Sequence, residues 1–219
     1  MLAYQLIQQT FPILHLTDKV GFAFQLMDEY DVQHLPIISE EKFIGSVAKS
    51  DLSDVDESHQ LVAIEDCFIK ASVKKDEFIL AALKVITENE LSVLPVVNEF
   101  GELEGTIATN TLLQNLSKFL GTNEPGGIIV LEVDRRNFSF GEISRLVETN
   151  DAYITQLNTY TETETGLVIV SIKINKVEIS DILATFQRYD YVIRYYFGEE
   201  QFANELKENY NHLMTYLNL

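Results

Sequence analysis

The side chains able to do chemistry are few and scattered in this chain. Four histidines, His15, His34, His59 and His212, do not cluster, and the single cysteine, Cys67, has no Cys-x-x-Cys partner. A structural zinc site draws its ligands from closely spaced Cys and His pairs, which are missing here. There is no Gly-rich phosphate loop, no Gly-x-Ser-x-Gly elbow and no His-Glu-x-x-His pair. The acid pairs Glu40-Glu41 and Asp56-Glu57 have the type needed for paired carboxylates in a cleft. They sit among turn residues, however, where a solvated loop accounts for them. Neither a catalytic group nor a metal site is expected, and the chain does not read as an enzyme.

Composition narrows the partners. The 219 residues carry 34 acidic and 16 basic side chains, a net charge of −18, with the excess spread over both halves. Phosphate backbones and anionic lipid repel such a chain, so neither nucleic acid nor a membrane surface is expected. No apolar run approaches the roughly 20 residues that span a bilayer. The start, Met1-Leu2-Ala3-Tyr4-Gln5, lacks the basic head of a secretory signal, and one cysteine suits a reducing compartment. A cytoplasmic protein is expected, and the Asn-x-Ser triplets at Asn115 and Asn137 are taken as chance.

The elements that would position a site come from an internal repeat. Leu35-Pro36-Ile37-Ile38 recurs as Leu94-Pro95-Val96-Val97, and Val20, Ala23, Phe24 and Met27 recur as Ile79, Ala82, Leu83 and Ile86. The second set has the spacing of one apolar helix face. Gly45-Ser46-Val47-Ala48 then recurs as Gly105-Thr106-Ile107-Ala108, and Leu52 as Leu112. Thr17-Asp18 and Asp76-Glu77 are expected to cap the helices that follow, as is Thr109 or Asn110. Gly121 is expected to terminate the last of them. Each unit reads as strand–helix–strand–strand–helix. A unit this small scarcely buries its helices alone, so the two copies should pack together.

These residues resemble a known family. Leu35-Pro36-Ile37-Ile38 followed by Gly45-Ser46-Val47-Ala48-Lys49-Ser50-Asp51-Leu52 is similar to a CBS motif, named for cystathionine β-synthase. Residues 94–97 with 105–112 resemble a second. Two in tandem resemble the Bateman module over residues 1–121, with repeat 1 at about 1–60 and repeat 2 at about 61–121.

Residues 122–127, Thr122-Asn123-Glu124-Pro125-Gly126-Gly127, read as a linker. Beyond it, strand-like 128–133, helical 140–147, strand-like 152–160 and 167–174, helical 177–189 and strand-like 191–197 give the order β-α-β-β-α-β of the ferredoxin-like split motif. After a CBS pair, residues 128–198 resemble an ACT domain, and the whole chain resembles the CBS–ACT proteins typified by acetoin-utilisation regulators. The expected class is thus α+β/α/β: a tandem CBS pair, a ferredoxin-like, ACT-like domain and a C-terminal helix over 199–219. That helix would carry a stripe of Phe202, Leu206, Tyr210, Leu213 and Leu217. It either folds back on its own domain or pairs across a dimer.

The resemblance implies a binding cleft between the repeats for a regulatory ligand such as AMP, ATP or S-adenosylmethionine, and no required cofactor. Its signature is Gly-h-x-Ser/Thr-x-x-Asp, h being apolar; the hydroxyl serves phosphate and the carboxylate accepts from ribose hydroxyls. Asp51 matches the acid, with a simple helix cap as the alternative. The hydroxyl position holds Ala48, which leaves Ser46 or Ser50 to substitute. Family geometry also brings in His15, His34 and Pro36, with His34 stacking beneath a base or meeting a phosphate. In the second cleft, beside Pro95, the corresponding positions are Ala108 and Thr111, so both polar groups are missing and weak binding is expected. The ACT-like half has Asn137-Phe138 where the family often places Gly, which argues against amino-acid sensing and for pairing between chains. A regulatory homodimer is expected, with a regulated protein as a further partner. The alternative is a ligand-independent scaffold acting through protein–protein contacts.

Overall fold

A computed structural model describes residues 1–198. The expected C-terminal helix lies outside the described residues. The chain divides into two compact units, Met1–Phe119 and a second beginning at Leu120.

The first unit contains the repeat. In its first copy, β1 (Leu14–His15) runs parallel to β2 (His34–Ser39), which pairs antiparallel with β3 (Lys42–Ala48). Helix α1 (Val20–Glu29) connects β1 to β2, and the short α2 (Lys49–Leu52) follows β3. The second copy repeats this order as β4 (Val73–Lys74), α3 (Ile79–Asn89), β5 (Val93–Val97), β6 (Leu103–Ala108) and α4 (Thr109–Phe119). Val20, Ala23 and Met27 of α1 are buried, as are Ile79, Ala82 and Ile86 of α3, so the matched apolar stripes do face the two cores.

The helix starts differ from the expected caps. Neither Lys19 before α1 nor Phe78 before α3 makes a side-chain cap bond. Asp18 instead accepts from the amide of His15 at 2.8 Å, and Glu77 from that of Lys74 at 2.9 Å. Each carboxylate closes the turn between strand and helix, because it stands three residues after an amide left free at the strand's end. Thr109 likewise donates its hydroxyl to the carbonyls of Leu91 and Ser92, tying α4 to the start of β5.

The copies exchange edges. Gln8 pairs with Thr106 of β6, and Ile69 pairs with Ser46 of β3. The chain start therefore completes the second copy, and the segment between the copies completes the first. The glycine leading each motif permits this crossing. A Cβ on Gly45 would lie 2.7 Å from Cβ of Phe68, and one on Gly105 would run into the Ile7 side chain.

In the second unit, β7 (Gly127–Val133), α5 (Phe140–Glu148), β8 (Ile154–Thr161), β9 (Val168–Ile174), α6 (Ser180–Arg188) and β10 (Val192–Phe197) follow the βαββαβ order. The antiparallel sheet has strand order β10-β7-β9-β8, the ferredoxin-like arrangement. Ile143, Leu146 and Val147 of α5 pack with Ile182, Leu183 and Phe186 of α6 on one face of that sheet. Phe140, in the first turn of α5, stays exposed. Phe138, just before the helix, packs inward against the core.

Candidate functional site

The copies meet where the first residues of β2 and β5 come together. Ser92 accepts from the amides of Gln33 and His34, each at 3.0 Å, through its Oγ. The Ser92 amide donates back to Nδ1 of His34 at 3.2 Å. That bond makes Nδ1 the acceptor and leaves the proton of the neutral ring on Nε2. Burial lowers the pKa of His34, opposed by the charge of Asp51.

Beside this junction lies a cavity of about 500 Å³. The first copy contributes His34, Ala48, Ser50 and Asp51, and the second contributes Asn89 and Glu90. Ile69 of the exchanged segment forms part of its wall. Ser50 is exposed and Asp51 half-buried. The residue before α2, Ala48, gives no side-chain cap, and Asp51 makes no hydrogen bond among the described residues. Its carboxylate is thus unspent on local hydrogen bonds.

The strand β3 extends far enough that Ser46 and Ala48 share one face. They stand opposite Pro36 and His34 on β2. Ser46 is fully buried, and its Oγ has no hydrogen-bond partner among the described residues. A buried hydroxyl without a partner forgoes about 1–3 kcal/mol. Its counterpart Thr106 donates to the carbonyl of Gln8 at 3.2 Å. His15 is exposed, and its backbone amide is bound to Asp18; it is not among the residues lining the cavity.

The corresponding place in the second copy holds different chemistry. Thr111 donates its hydroxyl to Oε1 of Gln8 at 3.0 Å. A satisfied amide–hydroxyl pair stands where the first copy offers an open carboxylate and an apolar wall. Val93 replaces His34, and Ala108 and Pro95 add no donor or acceptor side chain.

Several of these residues escaped the sequence reading. Ile69, Gln8, Ser92 and Glu90 carry no motif, and nothing in the repeat marks Ile69 and Gln8 as equivalents. Their roles come from edge exchange, which local patterning does not encode.

The second unit has its own cavity, of about 490 Å³, at the end of β7. Glu132, Asp134, Glu142, Tyr189 and Tyr191 line it. Glu132 is paired with Arg194 at 2.8 Å, and Tyr191 donates to Glu142 at 3.1 Å. Burial and that carboxylate push the Tyr191 phenol up to about 12, so it stays a donor at neutral pH. Among the described residues no His, Cys, Asp and Glu cluster is placed to hold a metal ion, and no helix is long and apolar enough to cross a membrane.

The lowered pKa of His34 yields a pH prediction. The folded ring resists protonation more than the unfolded one, so the unfolded state binds the extra proton. This contribution is fully present above pH 6.5, the unperturbed value, and fades as pH falls below it toward the folded pKa. Urea unfolding across this range should show stability declining with acidification, and His34→Phe should flatten the decline. Parallel slopes for both proteins would remove His34 as the cause.

Comparison with known proteins agrees with this architecture. The CBS domain family matches residues 4–58 and 66–118. The chain is similar to a CBS domain pair/ACT domain protein of Thermotoga maritima, with 24% identity and a TM-score of 0.51 over 55% of this chain and 99% of that one. It is also similar to a putative acetoin utilization protein, AcuB, of Vibrio cholerae, with 20% identity and a TM-score of 0.47 over 57% and 96%. A further similar structure is CBSX2 in complex with AMP, with 20% identity and a TM-score of 0.45 over 54% and 98%. With two motifs in register, two copies of one strand–helix order and both matched segments, the chain belongs to the CBS-domain family, its tandem pair spanning residues 4–118 ahead of a ferredoxin-like domain.

Proposed function

We propose that this is a non-catalytic regulatory protein whose CBS pair binds one small adenosine-type ligand per chain in the cleft of the first copy. The adenine nucleotides and S-adenosylmethionine are its first candidates. The observation that carries this reading is the asymmetry of the clefts. The first presents an unpartnered carboxylate, Asp51, and a buried imidazole, His34, beside a cavity of about 500 Å³. That volume falls within the roughly 300–1,000 Å³ of small-molecule sites. In the second, Thr111 stands at the acid position and its hydroxyl is spent on Gln8. Asp51 is the acceptor for ribose hydroxyls, and Ser50, which lines the cavity where the fully buried Ser46 does not, replaces the hydroxyl that Ala48 lacks.

The cavity is walled by both copies, so a ligand there binds differently when they shift relative to one another, and differential affinity is what regulation requires. The second unit joins chains into a dimer in this reading. Tyr160 on β8 and Tyr195 and Phe197 on β10 support it, being exposed on the sheet face away from α5 and α6.

Native mass spectrometry with added adenosine, AMP, ATP or S-adenosylmethionine tests both parts at once. We expect a dimer carrying one ligand per chain. A monomer overturns the pairing role. Absence of every adenosine ligand at millimolar concentration overturns the sensor and leaves the ligand-independent scaffold, which Ala48 and Ala108 favour.

A further inference from the structure

We infer that the first cleft selects against phosphate: its ligand is an adenosine compound whose 5′ substituent is uncharged or cationic, not a nucleotide. This rests on the adenosine-type reading above and narrows it.

The argument is one of charge at the cavity wall. Three ionised side chains line it: Lys49, Asp51 and Glu90. The ammonium of Lys49 is already taken by Asp28, which lies against it, and stands 5.9 Å from the Phe24 ring centroid. Among the described residues no cation other than Lys49 lines the cavity. His34 adds none, because its Nδ1 accepts the Ser92 amide and protonation would abolish that bond. Asp51 and Glu90 therefore leave the wall doubly negative within a chain of net charge −18. A phosphate entering this cleft meets like charge in both carboxylates.

The uncharged part of a nucleoside meets the opposite situation. His34 is nine-tenths buried, lines the cavity, and offers an Nε2–H with no partner among the described residues. Asp51 offers an acceptor for ribose hydroxyls. Ala48 and Ile69 supply the small and apolar wall a base needs. The donors and acceptors suit base and sugar, and the charges do not suit a phosphate. A sulfonium or amine on the 5′ carbon would be drawn toward Glu90.

Calorimetric titration at low salt with adenosine, AMP, ATP and S-adenosylmethionine tests this on the full chain. Adenosine should bind at least about tenfold tighter than AMP, which is about 1.4 kcal/mol, and S-adenosylmethionine tighter than either. Because the penalty is Coulombic, raising the salt should narrow the gap by strengthening AMP binding. Glu90 is exposed, and Glu90→Lys should raise AMP affinity about tenfold relative to that of adenosine. AMP or ATP binding as tightly as adenosine at low salt overturns the selection and leaves the adenosine site standing. Absence of binding by all four removes the site and the selection together. The salt series needs no variant, so a poorly folding Glu90→Lys protein does not spare the inference.

Discussion

Replacing Asp51 by alanine should weaken adenosine binding about 10- to 100-fold while leaving the fold intact. A hydrogen bond to a charged acceptor contributes roughly 1.5–3 kcal/mol, which sets that range. The two effects separate cleanly here because Asp51 is half-buried and bonds to no other described residue. Stability should therefore change by no more than about 0.5 kcal/mol. Asp51→Asn keeps an acceptor and loses the charge, so it should fall between wild type and alanine. Thr111→Ala is the matched control at the equivalent position of the second copy; its hydroxyl serves Gln8, and ligand affinity should not move. Calorimetry reads affinity and urea unfolding reads stability. Wild-type affinity in Asp51→Ala would take the carboxylate out of the site.

The largest stability loss is expected from Phe186→Ala, at about 3–5 kcal/mol. Phe186 is fully buried under the sheet of the second unit, and its ring meets that of Tyr191 edge-on at 5.4 Å between centroids. Truncation removes the ring's burial, leaves a cavity between α6 and the sheet, and abolishes a pair worth roughly 0.5–1.5 kcal/mol beyond its area. Phe186→Leu, which fills most of that volume, should recover more than half of the loss. Urea denaturation followed by tyrosine fluorescence measures both variants, since Tyr191 reports on the same core. A change under 1 kcal/mol for the alanine variant would mean that the core collapses around the gap.

The pairing of the first unit's elements was legible because it rests on local periodicity. The i, i+3, i+4, i+7 stripes and the apolar four-residue strands require nothing beyond their own segments, and both reappear in the structure with the same residues inward. The misjudged helix caps have an equally local cause. Asp18 and Glu77 had two amides within reach, one at the helix start and one at the strand end, and composition does not decide between them. Phe140 follows the same logic: spacing put it on the α5 stripe, yet the first turn of a helix can stand clear of the sheet beneath.

By itself, the sequence determined that two copies of one strand–helix unit precede a βαββαβ domain, that Asp51 stands alone at the acid position, and that the second copy lacks its polar pair. Such facts depend on residue type at fixed spacing along the chain. Tertiary structure alone decided that residues 1–8 complete the second copy and residues around Ile69 the first, which put Gln8 against Thr111 and left Asp51 open. It alone brought Ser92 to His34 and Glu90 to the cleft. Contacts between segments far apart in sequence arise from how whole cores pack, and that choice leaves no periodic trace in either segment.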